Sequence, residues 1–129
     1  MSNAPEQDIV AYLRDVPELK PLGRIYLNQW PKTARLPLTT VQHIGDTNDS
    51  PVLARRGGRM RLQFDIYTKT DSPGLRAILK TVLRGIRGDV GGLRFVYAVI
   101  ENEQNMGVDP SGTFRNMVDA IIHWEETNG

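Results

Sequence analysis

The chain predicts an α+β fold: a mixed, mainly antiparallel sheet with two helices packed on one face. Three observations carry that expectation. Arg59–Lys69, RMRLQFDIYTK, alternates strictly, with Met60, Leu62, Phe64 and Ile66 on one side and Arg59, Arg61, Gln63, Asp65 and Tyr67 on the other. A period of two over this length marks a strand with one buried and one wet face. Directly after it, Leu75, Ile78, Leu79, Val82, Leu83 and Ile86 recur at helical spacing. Near the end, Phe114–Glu125 alternates again, with Val118, Ala120, Ile122 and Trp124 opposed by Arg115, Asp119 and His123. Sheets with one solvated face are typically antiparallel, and a layer of helix covers the other.

Taken in order, Asp8–Val16 reads as a short helix, because Ile9, Val10, Leu13 and Val16 share a face and Pro17 stops the run. Pro17–Gly23 is a turn, Arg24–Trp30 a weak strand and Pro31–Pro37 a loop. Leu38–Ile44, LTTVQHI, is rich in β-branched residues and reads as a strand. Gly45–Gly58 is aperiodic and full of turn formers. A connection longer than a hairpin needs is expected to be mobile or functional, and Asp46–Arg56 is expected to order on contact with a neighbour. Asp71 or Ser72 is placed to cap the second helix, with Pro73 in its first turn and Gly85 and Gly88 at its end. The short Thr70–Asp71 link folds this helix back onto its own strand, setting its apolar stripe on Met60, Leu62, Phe64 and Ile66. Leu93–Glu101, apolar on both faces, reads as a central strand, and Asn102–Thr113 as a polar turn. The predicted order is αβββαββ or αββαββ, without internal repeats.

At 129 residues, 40% hydrophobic and 24% charged, the chain has the size and composition of one soluble domain covering residues 1–129. No apolar run approaches the ~20 residues that span a bilayer, so no membrane partner is expected. Met1–Glu6 has neither the basic start nor the apolar core of a signal peptide. Zero Cys excludes disulfides, thiol nucleophiles and cysteine metal sites. The net charge of +1 hides an asymmetry. From Lys20 to Arg94 basic residues dominate; afterwards Arg115 stands alone against Glu101, Glu103, Asp109, Asp119, Glu125 and Glu126. Two solvated faces would explain this. So would a nucleic-acid surface, or an assembly in which a positive edge of one copy meets a negative edge of the next.

Catalytic chemistry is not visible. His43 and His123 are the only histidines, each mid-strand on a polar face, and no HxxxH or HxH spacing accompanies them, so no metal is expected. Ser50, Ser72 and Ser111 lack a nucleophile-elbow context. Gly57-Gly58 and Gly91-Gly92 match no phosphate-binding fingerprint. No cofactor and no catalytic residue is assigned. Arg76, Lys80, Arg84 and Arg87 line the wet face of the second helix. Arg55, Arg56, Arg59 and Arg61 form the densest basic cluster, and Glu101, Glu103, Glu125 and Glu126 are the acidic residues placed to meet it on an adjacent copy. Aromatics able to stack bases are few near that cluster, which argues against reading a nucleic-acid sequence.

The order of segments resembles the tail-completion, or head-to-tail joining, proteins of long-tailed bacteriophages and prophages, a tail-terminator-like family. The matching pieces are VPELKPL after the first helix, GRIYLNQWP, LPLTTVQHIGD, RMRLQFDIYTKT, the helix LRAILKTVLRGI and the closing VDPSGTFRNMVDAIIHWEE. Together they run from Asp8 to Glu126; each motif is structural, and their shared order makes the likeness. Gly91-Gly92 and Asn102–Met106 match nothing in it. The resemblance implies a structural, non-enzymatic subunit of the virion at the head–tail junction, made in the host bacterial cytoplasm. It implies a ring, typically of six copies, that caps the tail tube, joins it to the head connector and passes DNA through its hole. Its partners would be itself, the tail-tube protein and the connector protein, with non-specific DNA contact in the channel. The alternative is a small nucleic-acid-binding or regulatory module using Arg55–Arg61, which a salt-sensitive DNA-binding assay would separate.

Overall fold

The computed structural model describes residues 5–47, 57–90 and 93–126. Its fold is α+β, with helices on one face of a six-stranded, mainly antiparallel sheet. The first helix, α1, runs Pro5–Arg14, starting three residues before the expected Asp8, where Glu6 and Asp8 suit a helix's positive N-terminal end. The expected turn is a 3-10 helix, Pro17–Leu22, which buries Leu19 and Leu22. The strands that follow are β1 (Arg24–Leu27), β2 (Leu38–Thr47) and β3 (Gly57–Thr68). Next come α2 (Gly74–Arg84), β4 (Gly88–Val90), β5 (Leu93–Val108) and β6 (Phe114–Glu126). Arg55 and Arg56, and with them most of the segment expected to be mobile, lie outside the described residues.

The strands lie in the order β1-β2-β3-β6-β5-β4. Only β1 runs parallel to its neighbour, pairing Arg24–Leu27 with Leu38–Val41. The central pair is β3 and β6, in register from Gly57↔Glu125 to Thr68↔Phe114 without interruption. That pleat puts Met60, Leu62, Phe64 and Ile66 on the same face as Val118, Ala120 and Ile122, and all seven are fully buried. Gly23 makes the entry to β1 possible. It sits at φ +74°, and a Cβ there would lie 1.8 Å from the Pro37 carbonyl oxygen, so only glycine fits.

Leu79, Leu83 and Ile86 belong to the same core as the β3 stripe. The helix does not lie on its own strand, however: α2 sits over β5 and β6 and against the 3-10 helix, while α1 reaches from β1 across β3 to β4. Two helices share the covered face, and the one nearest β3 in sequence is displaced to the far half. The start of α2 also differs from expectation. Pro73 is its N-cap, with no side-chain hydrogen bond, and backbone bonds from Leu75 to Ser72 and Arg76 to Pro73 close the first turn.

Two further expectations fail at β5. Leu93–Glu101 is not a central strand, since β4 covers only Leu93–Phe95 and β5 lies second from the edge. Asn102–Val108 is strand, not turn, and continues opposite β6 as far as Phe114. The true turn is Asp109–Thr113, where Asp109 Oδ1 accepts hydrogen bonds from the backbone N–H groups of Ser111 and Thr113 and from the Ser111 hydroxyl. Those bonds, led by the Ser111 hydroxyl, hold the Asp109 carboxyl below its ordinary pKa.

Candidate interaction surface

The face of the sheet away from the helices is polar, and its charges are paired across strands. Register places Arg61 diagonally beside Asp119, and the guanidinium forks onto that carboxylate, with Nη2 2.7 Å from Oδ2 and Nε 3.1 Å from Oδ1. Two parallel bonds to one carboxylate fix both side chains, and they raise the Arg61 pKa. Further along, Arg115 Nε donates to Asp65 Oδ1 at 2.8 Å and Gln63 Nε2 to Asp65 Oδ2 at 2.9 Å. Asp65 is 2% exposed, so its charge depends on these donors. Tyr67 beside it has its phenol pKa raised, first by burial and then by the Asp65 charge. At the other end, Arg94 bonds Asp89 at 3.0 Å and approaches Glu125 at 3.6 Å, and Tyr97 meets the His123 ring edge to face at 3.9 Å.

The helix-covered face has its own clasp. A bulge between Ile100 and Asn102 turns Glu103 toward α2, where Arg76 Nη1 lies 3.2 Å from Oε1 and Lys80 Nζ bonds Oε2. The Lys80 hydrogen bond, with the charges of Lys80 and Arg76, holds the Glu103 carboxyl below its ordinary pKa. His43 likewise faces the helices and not the wet face. Its Nδ1 is 3.2 Å from Glu6 Oε2 on α1 and its Nε2 is 3.0 Å from the Gly45 carbonyl oxygen.

The eight interaction residues read from the sequence therefore divide. Arg59 and Arg61 occupy the open face as expected, but Arg61 is bonded within the chain to Asp119. Glu103 is bonded to α2, Glu125 lies near Arg94, and Glu101 is exposed at the β5 bulge. Arg55 and Arg56 lie outside the described residues, as does the Glu126 side chain. Sequence reading missed Asp65, Asp119 and Arg115, whose partners are 50 and 58 positions away. The available signal was the alternation of opposite charges on the two polar strand faces.

The sheet edges are a second feature. β1 leaves one side of its backbone without a strand partner among the described residues. On the opposite edge, β4 ends level with Phe95, and the next carbonyl, Val96, accepts a hydrogen bond from Arg87. From Tyr97 to Val108 no described strand pairs with the outer side of β5. Five of the exposed large hydrophobic residues, Val96, Tyr97, Val99, Met106 and Val108, lie on this strand at 40–55% exposure. Among the described residues no group of three His, Asp or Glu side chains is placed to hold a metal, and no helix is long and apolar enough to cross a membrane.

No protein-family model and no curated protein matches the chain. Among solved structures, the chain is similar to one chain of the virion of a native gene transfer agent particle. The two superpose with a TM-score of 0.65 over 95% of each chain at 16% sequence identity, a likeness of fold.

Proposed function

We propose that this chain is a non-catalytic structural subunit of a phage or phage-like virion, a tail-completion protein that assembles as a ring, caps the tail tube and joins it to the head connector. The observation that carries the reading is the shared fold, end to end, with a chain of a gene transfer agent virion. It agrees with the tail-completion order of segments in the sequence. An unpaired, apolar sheet edge fits a subunit whose surfaces are completed by neighbours. In this reading residues 1–129 form one tail-completion domain, and DNA passes through the ring without being read. The basic cluster Arg55, Arg56, Arg59 and Arg61 is proposed to meet Glu101, Glu103, Glu125 and Glu126 of an adjacent copy, with Arg61 and Glu103 already bonded within their own chain to Asp119 and to Arg76 and Lys80.

The test is to remove the protein from its particles and add it back. Tails made without it should fail to join heads, and purified protein should restore joining and appear at the head end of the tail. Arg55→Glu with Arg56→Glu should reduce joining while leaving the melting curve nearly unchanged. Normal particles in the absence of the protein would overturn the reading.

A further inference from the structure

The β1 edge of the sheet is already occupied by its own chain, and beside it lies a cleft lined by cations. Arg14 Nε donates to the Ile25 carbonyl oxygen at 2.8 Å, and the Gln29 N–H to the Leu27 carbonyl oxygen at 2.8 Å, so the outward acceptors of β1 are taken. Between α1, the 3-10 helix and β1 is a recess of about 280 Å³, where Arg14, Lys20 and Arg24 surround an apolar floor of Leu13, Leu19 and Ile25. None of the residues lining it is acidic. We infer that this cleft is a carboxylate-binding site, which takes an acidic side chain from a segment of a partner protein.

Among the described residues, none of the three cations is neutralised within the chain. The bond from Nε fixes the plane of the Arg14 guanidinium and leaves both its terminal nitrogens without a partner. Arg24 lies over the Tyr26 ring, 5.8 Å from its centroid, and the Lys20 ammonium makes no bond. Asp15 and Glu18 are close in sequence but are bonded to none of the three, and Glu18 opens onto a different groove, toward α2. Three like charges around one recess repel one another, and an anion between them relieves that repulsion. The backbone holds the arrangement: Gly23, at φ +74°, turns the chain between Lys20 and Arg24, and its N–H closes the turn on the Lys20 carbonyl oxygen at 3.0 Å.

A guanidinium fork matches the two oxygens of a carboxylate and equally those of a phosphate, so the floor decides between them. A side-chain carboxylate arrives on methylene groups that can rest on Leu13, Leu19 and Ile25. A DNA backbone presents its phosphates along a stiff, polar ridge, which suits an open row of cations and not a recess of this size. The surroundings favour an acidic visitor as well. From Leu19 to Ile44 the chain contains no Asp or Glu, and Lys32 and Arg35 are exposed without a partner, so an acidic segment is drawn to this side of the fold before it is fixed in the cleft. The inference stands on the cleft and not on the ring reading, and the site is separate from the Arg55–Arg61 cluster.

The test compares two double variants of the full chain that remove equal charge. Lys20→Gln with Arg24→Gln takes two cations from the cleft; Lys32→Gln with Arg35→Gln takes two exposed cations that do not line it. A short polyglutamate peptide is titrated into the parent and both variants, with a short DNA duplex of equal charge as the comparison, and the amide signals of Gly23 and Arg24 are followed by NMR. The peptide should shift both signals in the parent. It should bind the cleft variant about tenfold more weakly, as expected when charge-assisted bonds are lost, and the other variant nearly as well as the parent. Arg14→Lys, which keeps the charge and loses the fork, should weaken binding too. If the cleft pair lowers the melting temperature, Lys20→Gln alone, at a side chain with no bond to lose, makes the same comparison. Equal weakening in the two double variants would overturn the site in favour of diffuse surface charge, and so would a peptide that leaves Gly23 and Arg24 unshifted. A duplex that shifts those signals at lower concentration than the peptide would overturn the carboxylate assignment and make the cleft a phosphate contact.

Discussion

β3 and β5 both run beside β6, and they differ in what covers them. β3 has a strand on each side for most of its length, and its apolar face lies under the helices. β5 has β6 on one side and, beyond Phe95, no described strand on the other, while Val96, Tyr97 and Val99 lie open. The sequence of β3 alternates strictly; the first half of β5 is apolar on both faces. The difference teaches that hydrophobicity on both faces of a strand does not by itself report that the chain covers both. The comparison can be broken by substitutions, in descending order of their effect on stability.

The largest effect is expected in β3. Phe64 is fully buried at the centre of the sheet, and Phe64→Ala should cost about 3–5 kcal/mol from lost burial and the cavity left behind, read by urea unfolding. A loss below about 1 kcal/mol would mean that the β3 face is not the core. Second comes the open side of the same strand. Asp65→Asn leaves Arg115 without its carboxylate beside a buried position, which should cost about 1–3 kcal/mol, as for other hydrogen bonds to charged groups. If Asp65→Asn melted like the parent, the polar face of β3 would be a solvated surface and not a set of fixed pairs.

Much of this architecture was legible in the residues. The β3 and β6 stripes and the α2 stripe follow from periodicities of 2.0 and 3.6, and Met60, Leu62, Phe64, Ile66, Val118, Ala120 and Ile122 lie where those periods place them. The position of α2 was not legible, because periodicity says which face a helix buries and not which strands it buries it against; the presence of α1 on the same face decided that. The partners of Asp65, Asp119 and Glu103 were not legible either, since each depends on a register set by strands far apart in the chain. For Glu103 the face itself depends on the bulge between Ile100 and Asn102, which flips the side chains that follow it as far as the next register shift after Asn105 and which nothing in ENEQNMG announces. The charge asymmetry was plain in the sequence, but only the register shows how its acids and bases meet within the chain, Arg61 on Asp119 and Arg76 and Lys80 on Glu103.

A third and smaller effect separates the two ends of β5. Glu103 is fixed to Arg76 and Lys80, so this half of the strand is tied to α2. Its carboxyl is held below the ordinary value of 4.5, chiefly by the Lys80 hydrogen bond. A lowered folded pKa means that the stabilisation is present above the unfolded value and is lost as pH falls through the folded one. Glu103→Gln should therefore melt slightly below the parent at neutral pH, by under about 1 kcal/mol for a pair this close to solvent. The gap should close as the solution is acidified below pH 4.5. A difference that persisted unchanged in acid would assign the effect to packing and not to charge.

The smallest effect on the free subunit is expected at Val99, and it bears most directly on the comparison. Val99 is 45% exposed beside Ile121, and Val99→Thr keeps the β-branched shape that a strand favours. Its melting should shift by less than about 0.5 kcal/mol, as surface changes usually do. Were β5 simply a solvated strand, nothing else would change. Were its apolar edge region buried by a neighbouring copy, the same substitution would place a hydroxyl in an apolar contact and weaken association several-fold, with the folded monomer intact. Sedimentation across a range of concentrations, run beside the melting curve, reads both quantities on one sample. Unchanged association with unchanged melting would place Val99 outside any contact. A large loss of monomer stability would show instead that this part of β5 belongs to the subunit's own core, as β3 does.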